Sequence, residues 1–463
     1  MGLRSTAAGS EHTTVRHVNF LFSLVLACHA AAHINAAEWG QWRGPDLNGS
    51  SPERNLPSFW SKTNNVLWVT PLPGDSGATP VIWKDSVFVS SPDKDKNLLL
   101  ICLDSQTGTE KWRRTASKGN QDKGRNNMAS PSPVTDGKRV VVMFGTGALV
   151  AFDHDGNQLW SRDLAQEYGT FANMWIYGSS PLLFQDRLYI QVLQRNPVPS
   201  DYPATVGDKP ERESFLLCLD PANGKNLWRQ MRPTDAQGES QEAYSTPIPY
   251  AQDGSWQILV IGANALTAND AKTGAEIWRC AGLNPKQQPW WRVVPAPLVA
   301  GNNIIACGPR REPVFAIQPT GKGDLSSTAV KWQFKEFPSD CPTPLFYEGK
   351  LFLLDGDRQM MTCLEPDSGK VLWQGHLGLR EAIRSSPTGA DGKIYCVSES
   401  GTVVILGTGA EFKILATIHM GEPPIRSSIA VANGRLFIRT GKNLYCIGNS
   451  STRPSNAAGS SGS

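Results

Sequence analysis

The chain of 463 residues has little excess charge of either sign and, beyond its N-terminus, no long apolar run. Lys and Arg total 45 against 42 Asp and Glu, and the charged residues are interspersed rather than clustered. This distribution excludes an extended basic surface for nucleic acid or for an anionic membrane. No later stretch reaches about 18 apolar residues, so the sequence predicts no transmembrane segment in the mature protein.

Motifs for common catalytic chemistry are also missing. The sequence contains no nucleophilic triad motif, no phosphate-binding loop and no cluster of zinc ligands. Four of its seven His residues lie in the N-terminal segment, and the other three, His154, His376 and His419, are scattered. The sequence therefore predicts neither catalytic residues nor a metal site.

The N-terminus is typical of an export signal. Two arginines precede the apolar stretch VNFLFSLVLACHAAA, and the small residues of HINAA follow it just before Glu38. We expect residues 1–37 to be a signal peptide and the protein to be periplasmic or extracellular. A second interpretation places Cys28 at a lipidation site and makes the protein an anchored lipoprotein.

One short phrase recurs along the chain. It starts at an acidic residue, contains a Gly and ends at a Trp eight residues later, or seven in one copy. The five clear copies are CLDSQTGTEKW (102–112), AFDHDGNQLW (151–160), CLDPANGKNLW (218–228), ANDAKTGAEIW (268–278) and CLEPDSGKVLW (363–373). An apolar strand, a turn of the Asp-x-x-Thr-Gly type and a return to Trp predict a β-hairpin. A sixth copy is stretched and ends at Trp332, and a seventh has Leu415 where the Trp is expected.

A second hairpin precedes each copy, with Asp-Gly, Asn-Gly or Glu-Gly at most of its turns. One unit is therefore four short strands in about 40 to 50 residues, the period of propeller blades. The eighth unit has three strands and ends near Cys446, whereas Trp68 lies in an outer-strand phrase with no strands before it. The sequence thus predicts an all-β, eight-bladed β-propeller of four-stranded antiparallel blades, its ring closed by an N-terminal outer strand.

Four segments follow from this count. Residues 1–37 form the signal peptide, 38–65 a lead-in segment, 66–449 the propeller and 450–463 a disordered tail rich in Ser, Gly and Asn. The tail carries no motif that predicts its role.

The repeated hairpin resembles the repeat of quinoprotein (PQQ) dehydrogenases and of the outer-membrane β-barrel assembly factor propeller. The opening WGQWRGPDLNG, with FKILATIHMGE (412–422) and GRLFIRTGKNLYCIG (434–448), is similar to a family of secreted bacterial PQQ-like repeat proteins. The resemblance covers residues 38–449 and implies the propeller fold. The assembly factor also implies docking of another protein, and the dehydrogenases imply PQQ and calcium.

Two functions are compatible with this resemblance. The favoured one is a non-catalytic exported β-propeller, a protein- or ligand-binding scaffold that acts through its loop-bearing face and needs no cofactor. The alternative is a PQQ- and calcium-dependent quinoprotein dehydrogenase that oxidises an alcohol or a sugar. Those enzymes often carry a vicinal Cys-Cys and sometimes a Cys-x-x-Cys-His haem site, and neither pattern occurs in this sequence.

The cysteines are interpreted as packing residues. One repeat position holds Cys in some copies and Ala in others, as expected of a small buried strand residue; its cysteines are Cys102, Cys218, Cys363 and Cys446. Because these positions lie in different blades, we expect free thiols. Four others lie off this position, and the sequence leaves a disulfide among them open: Cys280, Cys307, Cys341 and Cys396.

Loop lengths predict which face carries function. The turns within hairpins are short and share one face, whereas the B–C loops and the links between blades share the other, which we call the loop-bearing face. The long irregular segments collect there: 115–127, 163–177, 231–243, 281–293 and the insertion 195–214. Residues just before each inner strand should ring the channel mouth on this face: Asp75, Asn127, Trp175, Tyr177, Tyr244, Trp291, Arg292, Asp340, Arg384 and Arg426.

Two of these arginines are expected to lie close together. Arg384 and Arg426 occupy matching phrases, IRSSP and IRSSI, in consecutive units. Like charges at a shared site need a counter-charge, so we expect an anionic ligand or a carboxylate there, from a partner protein or from Asp340 or Asp75. The sequence identifies neither the partner nor the oligomeric state.

Overall fold

The computed structural model describes residues 38–199, 202 and 211–449. The predicted signal peptide and C-terminal tail lie outside these residues, as does half of the insertion 195–214. Within the described part of the chain, regular structure is almost entirely β, and the two helices are Leu164–Tyr168 and the 3-10 turn Gly238–Gln241.

The strands form eight antiparallel blades, which confirms the predicted propeller. Strands are given from the innermost, A, to the outermost, D. Blade one comprises Val81–Trp83, Ser86–Pro92, Asn97–Asp104 and Glu110–Lys118; blade two, Val134–Thr135, Val140–Met143, Ala148–Phe152 and Gln158–Asp163; blade three, Leu182–Phe184, Arg187–Val192, Phe215–Leu219 and Asn226–Met231; blade four, Ile248–Gln252, Ser255–Gly262, Ala265–Asp270 and Glu276–Ala281.

The second half of the ring repeats this order. Blade five comprises Leu298–Ala300, Asn303–Cys307, Val314–Ile317 and Val330–Phe334; blade six, Leu345–Tyr347, Lys350–Asp355, Met360–Leu364 and Val371–His376; blade seven, Thr388–Ala390, Lys393–Val397, Thr402–Gly407 and Ile414–His419; blade eight, Ala430–Ala432, Arg435–Arg439, Asn443–Gly448 and Val66–Pro71. Gly323–Asp324 adds a short parallel strand to blade four, and Asp122–Lys123 pairs with Asn126–Asn127 in a separate hairpin.

The N-terminal strand closes the ring, as predicted. Val66–Pro71 pairs with Asn443–Gly448, and Trp68 lies opposite Cys446. The Trp68 indole N–H donates to the Ser105 carbonyl of blade one, at 3.1 Å. This hydrogen bond joins blade eight to blade one. Because Val66–Pro71 pairs with it, the third strand of blade eight has no open edge.

The recurring phrase is explained by contacts between neighbouring blades. The Trp112 indole N–H donates to the His154 carbonyl at 2.8 Å, and that of Trp160 to the Pro221 carbonyl at 2.9 Å. In five blades the turn Gly of the hairpin faces the Trp of the preceding blade closely; a Cβ on Gly224, for example, would lie 2.7 Å from the Trp160 ring. The tryptophans therefore pack between blades, as predicted.

The eight cysteines in the described residues are free thiols. Those of the repeat position lie opposite the Trp on the neighbouring strand, as in the pairs Cys102–Trp112 and Cys363–Trp373. Burial raises the pKa of the Cys102 thiol to about 12, so it stays protonated. A small residue is needed there because the partner position is filled by an indole.

The seventh copy of the phrase differs from the sequence expectation. Leu415 does not take the place of the Trp: Ile414 pairs with Leu406 and Ala416 pairs with Ile405, so Leu415 is the bulged residue between them. Ala416 occupies the register position of the Trp and lies opposite Ile405. In this blade the larger residue of the pair is on the third strand and the smaller one on the fourth, the reverse of the Cys–Trp pairs.

The lead-in segment crosses the end of the channel opposite the loop-bearing face. Trp39 bridges to Ile82 of blade one, and the Gly40 carbonyl accepts from Thr135 N of blade two. On the opposite side of the ring, the Asn48 carbonyl accepts from Phe346 N of blade six, and Ser50 bridges to Gly389 of blade seven. Between them the buried Arg43 donates to the carbonyls of Pro344 and Pro387, at 2.6 and 2.8 Å. Complete burial lowers the Arg43 pKa to about 9, and these carbonyls hold the guanidinium in place. The motif WGQWRGPDLNG is therefore a structural plug.

Candidate functional site

A central cavity of about 330 Å³ opens on the loop-bearing face. Its wall comes from the residues that precede the inner strands, and Trp42 of the lead-in segment also lines it. Because the lead-in segment crosses the opposite end of the channel, the cavity is a blind pocket rather than a pore.

Hydroxyl groups form a ring around the wall of this cavity. In seven blades, a Ser or Thr at the same position accepts a hydrogen bond from the backbone N–H of the preceding blade. Ser132 Oγ accepts from Thr79 N at 2.9 Å, and Thr79 Oγ1 accepts from Ser428 N at 3.2 Å, where the ring closes. Its buried members are Thr79, Ser132, Ser180, Thr246, Thr343, Ser386 and Ser428. Blade five has Ala296 at this position, so the Thr246 N–H has no hydroxyl to meet.

One side of the mouth is aromatic and consists of Trp175, Tyr244 and Trp291. Trp175 lies against Gly124, where a Cβ would be 2.8 Å from the ring. Its indole N–H donates to Glu239 Oε1 at 2.9 Å, and its backbone N–H donates to the Tyr244 hydroxyl at 2.9 Å. Burial raises the Glu239 pKa, although Trp175 and Arg292 act in the other direction. Backbone and side-chain contacts thus hold the Trp175 ring at the mouth.

The other side of the mouth is charged, with Glu399 near its centre. Glu399 Oε1 is 3.1 Å from Arg426 Nε, and Oε2 is 3.9 Å from Arg384 Nε. Arg125 reaches the same carboxylate, with its Nε 3.1 Å from both oxygens. The expected like-charge pair therefore shares a carboxylate of the protein itself, and the pair alone gives no reason to require a bound anion.

Opposite charges continue to alternate around the mouth. Asp357 Oδ1 is 2.6 Å from Arg384 Nη2, and its Oδ2 is 2.8 Å from Arg310 Nη2. Burial disfavours the Asp357 carboxylate, but the two guanidiniums outweigh it and lower its pKa. Asp340 Oδ1 is 3.3 Å from Arg292 Nη1, and the Arg310 guanidinium also stacks 5.1 Å from the Trp291 ring centroid.

Of the ten residues singled out from the sequence, seven line the cavity, two do not line it but lie beside its mouth, and one is turned away from it. Those that line the cavity are Arg384, Arg426, Arg292, Trp291, Trp175, Tyr244 and Asp340. Asp75 lies beside the mouth, with Oδ2 3.6 Å from Arg426 Nη1, and the buried Asn127 donates to the Asp75 carbonyl at 2.8 Å.

Tyr177 is turned away from the mouth, contrary to expectation. Its ring packs against Phe171 in the core, and its hydroxyl donates to the Gln191 carbonyl at 2.8 Å. Ile176, between Trp175 and Tyr177, has a left-handed φ of 66°, which turns the backbone so that the two aromatic side chains diverge.

Several lining or pairing residues were missed from the sequence: Trp42, Arg125, Glu239, Arg310, Asp357 and Glu399. Arg310, Asp357 and Glu399 lie in the B–C turns of blades five, six and seven. Those turns share the loop-bearing face, so the same topology that selected the residues before the inner strands also marks them. Nothing in the repeat predicts that Trp42 reaches the cavity, because it lies outside the blades.

The carboxylates of the mouth are engaged with arginines rather than with one another. Within the described part of the chain, no group of three or more His, Cys, Asp or Glu side chains could hold a metal ion. The donor set therefore does not fit a calcium ion.

Comparison with known proteins identifies the repeat. A family model described as outer membrane protein assembly factor BamB matches residues 53–190, 195–333 and 310–410. The chain belongs to this BamB family. No curated protein matches it.

Solved structures agree with the BamB-family fold. BamB from Moraxella catarrhalis is 16% identical, with 82% of this chain and 99% of that chain covered at a TM-score of 0.57. A europium-containing methanol dehydrogenase is 11% identical, with coverage of 89% and 91% and a TM-score of 0.64. Quinohemoprotein alcohol dehydrogenase from Comamonas testosteroni is also 11% identical, with coverage of 89% and 81% and a TM-score of 0.62. At such identities the similarity shows the fold alone.

No helix among the described residues of this BamB-family chain is long and apolar enough to cross a membrane.

Proposed function

We propose that this protein is an exported, non-catalytic binding protein that receives a partner at the cavity of its loop-bearing face. The single observation behind the proposal is the blind cavity itself, where long links between blades bring aromatic rings and paired charges to one opening. Concave sites with a few convergent polar groups are the usual binding sites of folded domains. Export rests on the N-terminal sequence alone.

The alternative, a PQQ- and calcium-dependent dehydrogenase, draws support from the fold of its structural neighbours only. Asp340, Asp357 and Glu399, the carboxylates closest to the arginines, are each held by guanidiniums at 2.6 to 3.3 Å. Calcium prefers several oxygen ligands directed at one point, and these residues do not provide them.

Trp290 supports a role for the rim of the mouth in docking. It is 67% exposed, the highest value among the large apolar side chains that the structure describes, and it lies in the link 281–293 next to Trp291. An exposed Trp beside a polar cavity is a frequent anchor of binding interfaces. The opposite face offers a natural comparison, because Trp256 at the first hairpin turn of blade four is 39% exposed.

Photo-crosslinking in cells that make the protein tests the proposal. The photoreactive amino acid p-benzoylphenylalanine, which captures C–H bonds of proteins and glycans alike, replaces Trp290 in one variant and Trp256 in the other. We expect adducts of defined mass from position 290 and few from position 256. Equal yields from both positions, or none from 290, would contradict a binding role for the loop-bearing face.

A further inference from the structure

The charges at the cavity mouth are paired throughout. Arginines and carboxylates alternate there: Arg125, Arg292, Arg310, Arg384 and Arg426 against Asp75, Glu239, Asp340, Asp357 and Glu399. An ionic ligand would have to compete with these pairs and would leave one partner unmatched. Within the described residues, the buried Nε atoms of Arg310 and Arg384 have no hydrogen-bond acceptor, so these ion pairs do not use every donor of their guanidiniums.

The hydroxyl ring also contains hydrogen-bond donors that the protein does not use. Each of its seven hydroxyls accepts a backbone N–H, and in the described part of the chain none of them donates its own hydrogen to a protein group. An accepted N–H polarises the hydroxyl and makes its O–H a better donor. The cavity wall therefore presents a circle of O–H groups that can both donate and accept.

Tryptophan rings border the polar wall at both ends of the cavity. Trp42 lines the cavity from the plugged end, and Trp175 and Trp291 line it at the mouth. An apolar ligand would bury these rings but leave the O–H groups of the hydroxyl ring without acceptors, at a cost for each group. The best ligand combines apolar C–H surfaces with many neutral groups that donate and accept.

We propose that the cavity binds the end of a neutral saccharide. The C–H faces of a sugar ring pack on indole rings, and its vicinal hydroxyls match paired guanidinium and carboxylate groups and the hydroxyl ring. The blind end at Trp42 admits a chain terminus or a small free sugar, not a polymer that passes through. This inference rests on the proposed binding role of the same cavity and narrows its ligand class.

Tryptophan fluorescence and ligand-detected NMR with the mature protein test the inference. The probes are glucose, galactose, mannose, N-acetylglucosamine, and α- and β-linked disaccharides of each. We expect at least one of them to bind with little dependence on salt, because no net charge is neutralised. Trp291→Ala should weaken that binding by about tenfold or more, as expected for a central aromatic contact, and the matched variant Trp256→Ala should leave it unchanged. Citrate should not displace the sugar.

Two results would overturn the saccharide assignment: no binding to any sugar of the panel, or sugar binding that survives Trp291→Ala at full strength. Displacement by citrate would instead assign the cavity to anions. These outcomes are separate from the proposed function. If crosslinks at position 290 persist while every sugar fails, the binding role stands and the ligand class is wrong, whereas loss of both removes both proposals.

Discussion

Glu399 is the residue that makes the arginine-rich side of the mouth possible. Three guanidiniums, those of Arg125, Arg384 and Arg426, approach its carboxylate within 3.1 to 3.9 Å. Like charges this close are unfavourable unless a shared counter-charge relieves them. The carboxylate is partly shielded from solvent, so its contribution exceeds that of an ordinary surface ion pair.

We expect Glu399→Gln to lower the free energy of unfolding by about 1–2 kcal/mol and to create an anion site. Citrate should then raise the melting temperature of the variant more than that of the parent. Glu110→Gln, which removes an exposed partner of Arg113 at 2.6 Å, is the matched control and should cost less than about 1 kcal/mol. An equal response of parent and variant to citrate would refute the role assigned to Glu399.

Glu242 is a buried titratable residue that contacts the aromatic side of the mouth through Tyr244. It is fully buried and accepts hydrogen bonds from the Tyr202 hydroxyl, from the Tyr244 hydroxyl at 3.0 Å and from Met174 N at 2.8 Å. Burial raises its pKa to about 7 from an ordinary value of 4.5, against the effect of these donors. The folded protein therefore holds this proton more tightly than the unfolded chain.

A raised carboxyl pKa has a definite sign for stability. The stabilising contribution of Glu242 is fully present below pH 4.5 and is lost as the pH rises through about 7, a change of about 3 kcal/mol. Glu242→Gln removes this titration and keeps a side-chain oxygen as an acceptor. The difference in unfolding free energy between parent and variant, measured by urea titration at several pH values, should shift in favour of the variant as the pH rises. Parallel pH profiles would contradict the assignment.

At the scale of single elements, the hairpin of each repeat joins two blades. Its Gly adopts a left-handed conformation and faces the Trp of the preceding blade, as Gly224 faces Trp160 and Gly274 faces Trp228. Both the backbone angle and the lack of a side chain are therefore required. The phrase recurs because most interfaces between blades use the same Trp wedge, the exception being the one after blade seven, where Ala416 takes the Trp register.

Gly224→Ala should destabilise the protein more than Gly254→Ala. The two glycines have φ values of 72° and 73°, but an added Cβ meets the Trp160 ring at 2.7 Å at position 224 and meets nothing within 4 Å at position 254. We expect the backbone strain to lower the free energy of unfolding by about 1 kcal/mol at either site, and the clash at position 224 to lower it by about 1–3 kcal/mol more. Equal shifts of the denaturation midpoint would show that the Trp contact does not constrain the turn.

The strands and their number were predictable because each element carries its own local signal. Acid, Gly and Trp recur at a fixed spacing, and Trp68 identifies the strand that closes the ring. The register of the seventh copy was not predictable, because a bulge moves Ala416 rather than Leu415 into the Trp position. A spacing rule cannot detect a bulge where neither residue has a distinctive side chain.

At the scale of the whole molecule, the hydroxyl ring connects the inner strands of all blades except at one place. Hydrogen bonds run from each blade to the next and close from Ser428 to Thr79. The gap lies between Thr246 and Ala296, in the half of the ring with the long links 231–243 and 281–293. A Ser in place of Ala296 would supply the missing hydroxyl and complete the ring.

Ala296→Ser should therefore stabilise the propeller by about 1 kcal/mol, the usual net value of one hydrogen bond. Ser132→Ala, which removes the acceptor of the Thr79 N–H, should destabilise it by a similar amount. Denaturant titration of the two variants beside the parent checks both signs. A loss of stability in Ala296→Ser would mean that its hydroxyl does not reach the Thr246 N–H.

The position of the site was predictable in part, because topology alone places the residues before the inner strands at one mouth. Arg384 and Arg426 do line the cavity that opens there. The side chains that balance them were not predicted, since Asp357 and Glu399 come from turns within blades and look like ordinary turn residues in the sequence. Trp42 was not predicted to line the cavity, because only the three-dimensional path of the lead-in segment brings it there.

The central claim is that the loop-bearing face binds its partner at this mouth. The double variant Arg384→Ala/Arg426→Ala tests it directly, because Glu399 keeps Arg125 and Asp357 keeps Arg310 as partners. Asp75 loses Arg426, but its side chain is 40% exposed and water solvates the carboxylate. Measured as the photo-crosslinking yield at position 290, binding should fall at least about tenfold while the melting temperature stays within about 3 °C of the parent. An unchanged crosslinking yield in a folded double variant would contradict the account.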